Sequence, residues 1–239
     1  MPATIIEGFS WQTVGDWRGC DMGRMKELWM EEQEASYDSD YEYWHFLKSY
    51  VPDEPFARYR NSVERLDEIA GNSKHLNDYP MFHRMMLVQH VAILEAYLAD
   101  RLITLVTAFP DIRRSLVLNH QPLKAQKYPL EAIVGNPELV THKITSYLKS
   151  LLYHELEFVA EVYRAALAVD ILADEPSATA LKEAMIDRHH CVHRDGKDND
   201  GQVLTQFDAD YIARLRDYSV GLVNHIEASC ETWTANMPK

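Results

Sequence analysis

One long stripe of leucines and valines restricts the fold of this chain more than any other feature. Between Phe82 and Val106, the residues Leu87, Val91, Leu94, Leu98, Leu102 and Leu105 recur at steps of three and four. An α-helix places such positions on one face, whereas a strand would need alternation at every second residue. Pro110 follows, and a proline ring cannot continue a helix interior, so the predicted helix ends before it. The same spacing returns in Val140, Ile144, Tyr147, Leu148, Leu151 and Leu152. It resumes, beyond a break near Tyr153-His154, through Leu156, Val159, Val162, Tyr163, Ala166 and Leu167. It appears again in Ile212, Leu215, Tyr218, Leu222, Ile226 and Trp233. No segment carries a strand pattern, and no internal repeat occurs. With only 9 glycines and 10 prolines in 239 residues, the chain also lacks the turn residues of a β-rich fold. The expectation is an all-α fold, an antiparallel helical bundle.

Local signals set the boundaries. Pro137 suits a first helical turn, where its missing N–H costs nothing. Asp174-Glu175-Pro176-Ser177 starts a helix that runs to about Val192, and Gly196 stops it. Residues 195–201 read as a turn, and Thr205-Gln206-Phe207-Asp208 resembles a capping box before the last helix. Residues 107–136, which hold Pro110, Pro122 and Pro129, read as a looser connection. Residues 1–75 differ from the rest. They carry Trp11, Trp17, Trp29 and Trp44, and six acids with no base between Glu31 and Glu42. Two short helices are expected there, near 21–34 and 55–70, joined by a turn at 51–55. The chain thus divides into an acidic, Trp-rich extension over 1–75, mainly helical or irregular, and a helical bundle over 76–239. The acidic run reads as a solvated face, with a partner-docking segment as the sharper alternative.

Charge and cysteines narrow the function classes. The formal net charge is −13, and no bulk positive field for nucleic acid exists. Any grip on a phosphate chain has to be local. The basic residues placed for it are Arg113, Arg114, Lys124 and Lys127 in the loose connection, and Arg194 and Lys197 further on. Three cysteines without paired spacing suit a reducing cytoplasm better than a disulfide framework. The first residues lack a basic start followed by an apolar stretch, so no signal peptide is expected. No apolar run approaches the roughly 20 residues of a membrane span.

Reactive side chains concentrate in Asp187-Arg188-His189-His190-Cys191-Val192-His193-Arg194-Asp195-Gly196. On a helix, Arg188 and His193 lie about 140° apart around the axis and about 7.5 Å apart along it. A long arginine leans across such a gap, so both tips can face one cleft.

The pattern Arg-x4-His near a helix end, followed by a glycine-containing turn and a last amphipathic helix, resembles the HEPN superfamily. The similarity is greatest to the branch called RiboL-PSP-HEPN. His189 after the arginine and Val192 before the histidine fit that branch. So do Leu94-Glu95-Ala96-Tyr97-Leu98-Ala99-Asp100 as a first core helix, and Tyr153-His154-Glu155-Leu156-Glu157 with Val162-Tyr163 upstream of the motif. The resemblance covers about residues 80–235. It implies a bundle that forms a homodimer along the motif helix, so that two Arg188/His193 pairs meet across a two-fold axis. Glu95 would then orient Arg188 or a histidine, and His189 would support the site. Many relatives are ribonucleases of toxin–antitoxin or antiviral defence systems; others bind nucleotides, RNA or protein partners without cleaving anything. A protein partner such as an antitoxin is implied. In some members, however, nucleotidyl transfer onto a tyrosine two residues after the motif histidine silences the toxin, and here that position is Asp195.

The chemistry of the residue types agrees with an RNA-cleaving site. Cleavage without metal or cofactor needs the 2′-hydroxyl deprotonated and the charge growing on the phosphate stabilised. Histidine titrates near neutrality and suits the proton transfer. The permanently charged fork of arginine suits the phosphorane oxygens. A rival reading takes His189 and His193, four residues apart, as zinc ligands with His154 or His225 as a third. The trio His193-Arg194-Asp195 echoes a kinase catalytic loop without its companion motifs. The stretch 196–207 fails as an EF-hand because neither Gly196 nor Phe207 can chelate.

Overall fold

The structure, a computed structural model, describes residues 54–235. The expected helix near 21–34, the acidic run and four of the five tryptophans lie outside the described residues. Within them there are nine α-helices and no strand, so the fold is all-α. One isolated antiparallel bridge pairs Lys197 with Val203.

Helix α1, Pro55–Asn72, has proline in its first turn and buries Tyr59, Val63 and Leu66 at steps of four and three. Helix α2, Pro80–Ala108, carries the leucine stripe, and every stripe residue is at most 2% exposed. Met86, His90, Tyr97, Ile103 and Val106 are buried as well, so α2 is enclosed around most of its circumference. It is the axle of the fold: α1, α6 (Leu139–Lys149), α8 (Glu175–His193) and α9 (Ala209–Ala235) all pack on it. Contacts fix their directions. Arg58 of α1 reaches Asp100 near the far end of α2, opposite the 73–79 connection, so these two helices run antiparallel. Along α2, Arg84 meets Asp195 and Glu95 meets Arg188, so α8 also runs against it. Glu227 accepts from Tyr97, and Trp233 packs on Phe109, so α9 runs alongside it.

Three helices occupy the stretch 107–136, contrary to the looser connection expected there. They are α3 (Pro110–Asn119), the single turn α4 (Gln121–Lys124) and α5 (Leu130–Gly135). Pro110 and Pro122 stand in first turns, where a ring is tolerated, so they start helices instead of interrupting them. Ile112 and Leu116 of α3 bury against α7, Leu156–Leu167. Residue Phe109 caps α2 at its C-terminus and α3 at its N-terminus in extended conformation (φ −119°, ψ 105°), as the residue before a proline should.

Two other expectations shift. The segment 55–72 falls within the extension expected over 1–75, but its apolar face belongs to the common core with α2 and α9. The last helix starts at Ala209, and Asp208 is its cap, accepting from the Tyr211 amide at 2.7 Å; Thr205 is not. The break near Tyr153 is present: α6 ends at Lys149 and α7 begins at Leu156. Tyr163 of α7 is fully buried and donates to the Leu98 carbonyl at 2.8 Å, tying α7 to α2. Among the described residues, no helix is long and apolar enough to cross a membrane.

Candidate functional site

Helix α8 places the motif. Asp174 caps its start by accepting from the Ser177 amide at 3.1 Å, and Pro176 stands in the first turn. Ala178, Leu181, Ala184 and Met185 turn its inner face to the core. Asp187 accepts from the Tyr211 hydroxyl at 2.8 Å and from Gln206 at 3.0 Å, which fastens the last two turns of α8 to α9 and its approach.

The four motif side chains then separate by direction. Arg188 points toward α2, where its guanidinium Nη2 lies 3.7 Å from Glu95 Oε2. That is an ion pair, too long for a hydrogen bond. The other Glu95 oxygen lies 3.5 Å from His154 Nδ1, so one carboxylate sits between an arginine and a histidine. Both Arg188 Nε and Glu95 Oε1 are buried without a hydrogen-bond partner. His190 is buried at 8% exposure, and its Nδ1 also lacks a partner. His189 and His193 share the outer face, their ring centroids 4.7 Å apart and tilted by 47°. Partial desolvation, then the neighbouring His193, His190, Arg194 and Arg188, hold the pKa of His189 below that of an ordinary histidine. Burial pushes the Cys191 thiol up to about 11, so it is no thiolate nucleophile near neutral pH.

The helix ends in a tight turn. The amides of Arg194 and Gly196 both donate to the His190 carbonyl at 3.0 Å. Asp195 (φ 53°) and Gly196 (φ 73°) are both left-handed. Arg84 of α2 clamps this turn, donating to the Asp195 carbonyl at 2.9 Å. A Cβ on Gly196 would stand 2.6 Å from the Arg84 guanidinium carbon, which would have to move aside, and the left-handed φ itself favours glycine there.

The basic residues divide into two groups. Arg194 and Lys197 are exposed in the turn beside His193. Arg113 instead donates to the Val106 carbonyl at the C-terminal end of α2, about 33 Å along that helix from Arg84 at 1.5 Å per residue. The structure does not bring Arg113 to the motif. Arg114, Lys124 and Lys127 are exposed on and after α3. Both candidates for a third zinc ligand have other contacts. His154 is engaged by Glu95, and His225 faces the Asp170 carbonyl at 3.1 Å. No group of three or more His, Cys, Asp or Glu residues able to hold a metal ion occurs among the described residues.

Sequence reasoning missed Arg84 as a motif contact, and it placed His154 in the stretch upstream of the motif and among zinc candidates but not beside Glu95. A signal existed for Arg84. It is a lone cation inside Met81-Phe82-His83-Arg84-Met85-Met86-Leu87, a run otherwise dominated by apolar residues, and a cation so placed needs a partner. A cavity of about 640 Å³ adjoins the motif, bounded by His154, Phe158, Lys182, Ile186, His189 and Asn199 among others. Comparison of the chain with protein-family models, curated proteins and solved structures finds no match.

Proposed function

We propose that this protein is a metal-independent endoribonuclease of the HEPN type, working in a toxin or antiviral defence role. The observation that carries the reading is the way α8 presents Arg188 and His193. The guanidinium is held by Glu95 through charge alone, and the imidazole stands exposed at the last helical residue. A guanidinium not hydrogen-bonded to its carboxylate partner can direct its fork to phosphate oxygens. In the proposed reaction His193 takes the proton of a ribose 2′-hydroxyl. The 2′-oxygen attacks phosphorus, Arg188 balances the charge of the phosphorane, and the bond to the 5′-oxygen breaks. A histidinium then protonates that leaving oxygen, so the products are a 2′,3′-cyclic phosphate and a 5′-hydroxyl. A homodimer through α8 would supply separate histidines for base and acid. Val192, apolar and 47% exposed near the end of α8, leaves that helix with a side chain free for self-association.

The test is purified protein incubated with total RNA, beside Arg188→Ala and His193→Ala variants. Cyclic-phosphate ends that form in the presence of chelator, and vanish in both variants, are expected. A deoxynucleotide 5′ to a cleaved bond should block that cut alone. Full inhibition by chelator with rescue by zinc would overturn the reading.

A second reading is a non-catalytic module of the same type that binds nucleotide, RNA or a protein partner. The net charge of −13 favours it, because it offers no long-range attraction for a polyanion. Retention of RNA or nucleotide without any cleavage, in the same assay, selects it.

A further inference from the structure

We propose that the 640 Å³ cleft beside the motif seats an RNA nucleobase, so that the adjoining phosphate lies at Arg188 and His193. The inference rests on the ribonuclease reading and names the part of the substrate that the site recognises.

Three observations lead to it. The first is position. His189 lines the cleft, and its ring centroid lies 4.7 Å from that of His193, so the cleft begins one ring's width from the proposed base. On another side His154 lines it, and His154 is separated from Arg188 only by the Glu95 carboxylate. The cleft is therefore one side chain away from each reacting group, His189 intervening on one side and the His154–Glu95 pair on the other. The second is charge. Lys182 in the wall is neutralised by Glu157 at 3.1 Å, and Glu155 adds a further negative charge. Such a cleft repels phosphate and suits the uncharged part of a nucleotide. The third is the surface offered. Phe158 and Ile186 give an aromatic and an aliphatic wall, and Asn199 gives an amide whose donors and acceptor match the edge of a base. The volume falls within the usual range for a small-molecule pocket, roughly 300–1,000 Å³.

The whole-chain charge favours this contact. A net charge of −13 offers RNA no long-range attraction, so base contacts add affinity to what the few cations beside the motif supply.

The test uses the full chain and two variants away from α8, so that neither alters the face proposed for self-association. Phe158→Leu keeps an apolar side chain but removes the ring. Asn199→Ala changes an exposed loop residue and should leave folding intact. Each of the four nucleoside 5′-monophosphates is titrated into the protein at millimolar concentration and followed by NMR at Phe158 and Asn199, with inorganic phosphate as control. RNA cleavage is measured in parallel, with KM and the base preference at cut sites. The expected result is nucleotide binding at the cleft that phosphate alone does not reproduce. In the variants, KM should rise by roughly tenfold with an altered base preference, while kcat at saturating RNA is largely kept. Equal shifts from phosphate alone would overturn the proposal, as would variants that cleave with unchanged KM and preference. Nucleotide binding without RNA cleavage would uphold the cleft and remove the ribonuclease reading. Cleavage without nucleotide binding and with indifferent variants would do the reverse.

Discussion

Gly196 and Arg84 show how narrowly the end of the motif helix is built. The turn needs a left-handed residue at Gly196, and the Arg84 guanidinium fills the space where a side chain would begin. Gly196→Ala is expected to destabilise the protein by about 1–2 kcal/mol from backbone strain alone, with more from displacing Arg84. A lowered urea midpoint at unchanged slope checks it. Under the proposed ribonuclease chemistry, His193→Ala should lower cleavage by roughly 10²–10⁴ in rate. Arg188→Lys should stay strongly impaired, since an ammonium keeps the charge but not the fork. Single-turnover assays on a defined RNA measure both. His190→Ala is expected to act mainly through stability, because that ring is buried. The motif itself was legible in sequence, since its residues lie on one helix whose geometry is known. Arg84 was not legible as a contact, and His154 not as a partner of Glu95. Both reach the site from helices or loops distant in sequence, and no local periodicity encodes such meetings.

Long periodic segments announced the helices well, and short ones did not. The stripe of α2 spans the whole helix and leaves no alternative period. In α3 only Ile112 and Leu116 carry the signal, and the prolines around them read equally well as breakers. Starts were harder than interiors. Thr205 and Asp208 both offer capping oxygens, and the packing of Phe207 and Ile212 into the core selects the later one. The bundle also enclosed a titratable ring, His90, where α1, α2 and α9 meet. Burial lowers its pKa to about 4, with Asp67 pulling it up and Arg216 down. The unfolded chain therefore takes up the proton first. This contribution is complete well above pH 6.5 and is lost as pH falls through 6.5 toward 4, by roughly 3–4 kcal/mol at about 1.4 kcal/mol per pKa unit. Urea midpoints at pH 7.5, 6 and 4.5 should fall accordingly, and His90→Gln should flatten the decline. An equally steep decline in that variant would assign the effect to other groups.

The molecule as a whole is acidic, and the contact with RNA proposed above should show that in salt. With few cations beside the motif, affinity is expected to drop by roughly tenfold or less between 50 and 200 mM salt. Binding isotherms at several ionic strengths measure the slope, and a steep one would reveal a basic track elsewhere. The bundle also depends on its first described helix. A chain beginning at residue 76 uncovers the α2 surface beneath Tyr59, Val63 and Leu66, side chains worth roughly 1.5–3 kcal/mol each. Circular dichroism of that fragment should show lost helicity or aggregation. The shared residue at Phe109 has a different bearing on how the architecture can change. Two helices meet there with no spare length, so the junction is a mitre joint and not a cable. One inserted residue would turn α3 by about 100° relative to its present seat. Ile112 and Leu116 would swing away from α7, whose first turn carries Phe158 and so one wall of the cleft. Length variation in this chain should therefore collect in the exposed turns, such as 198–202, and avoid the α2–α3 corner altogether.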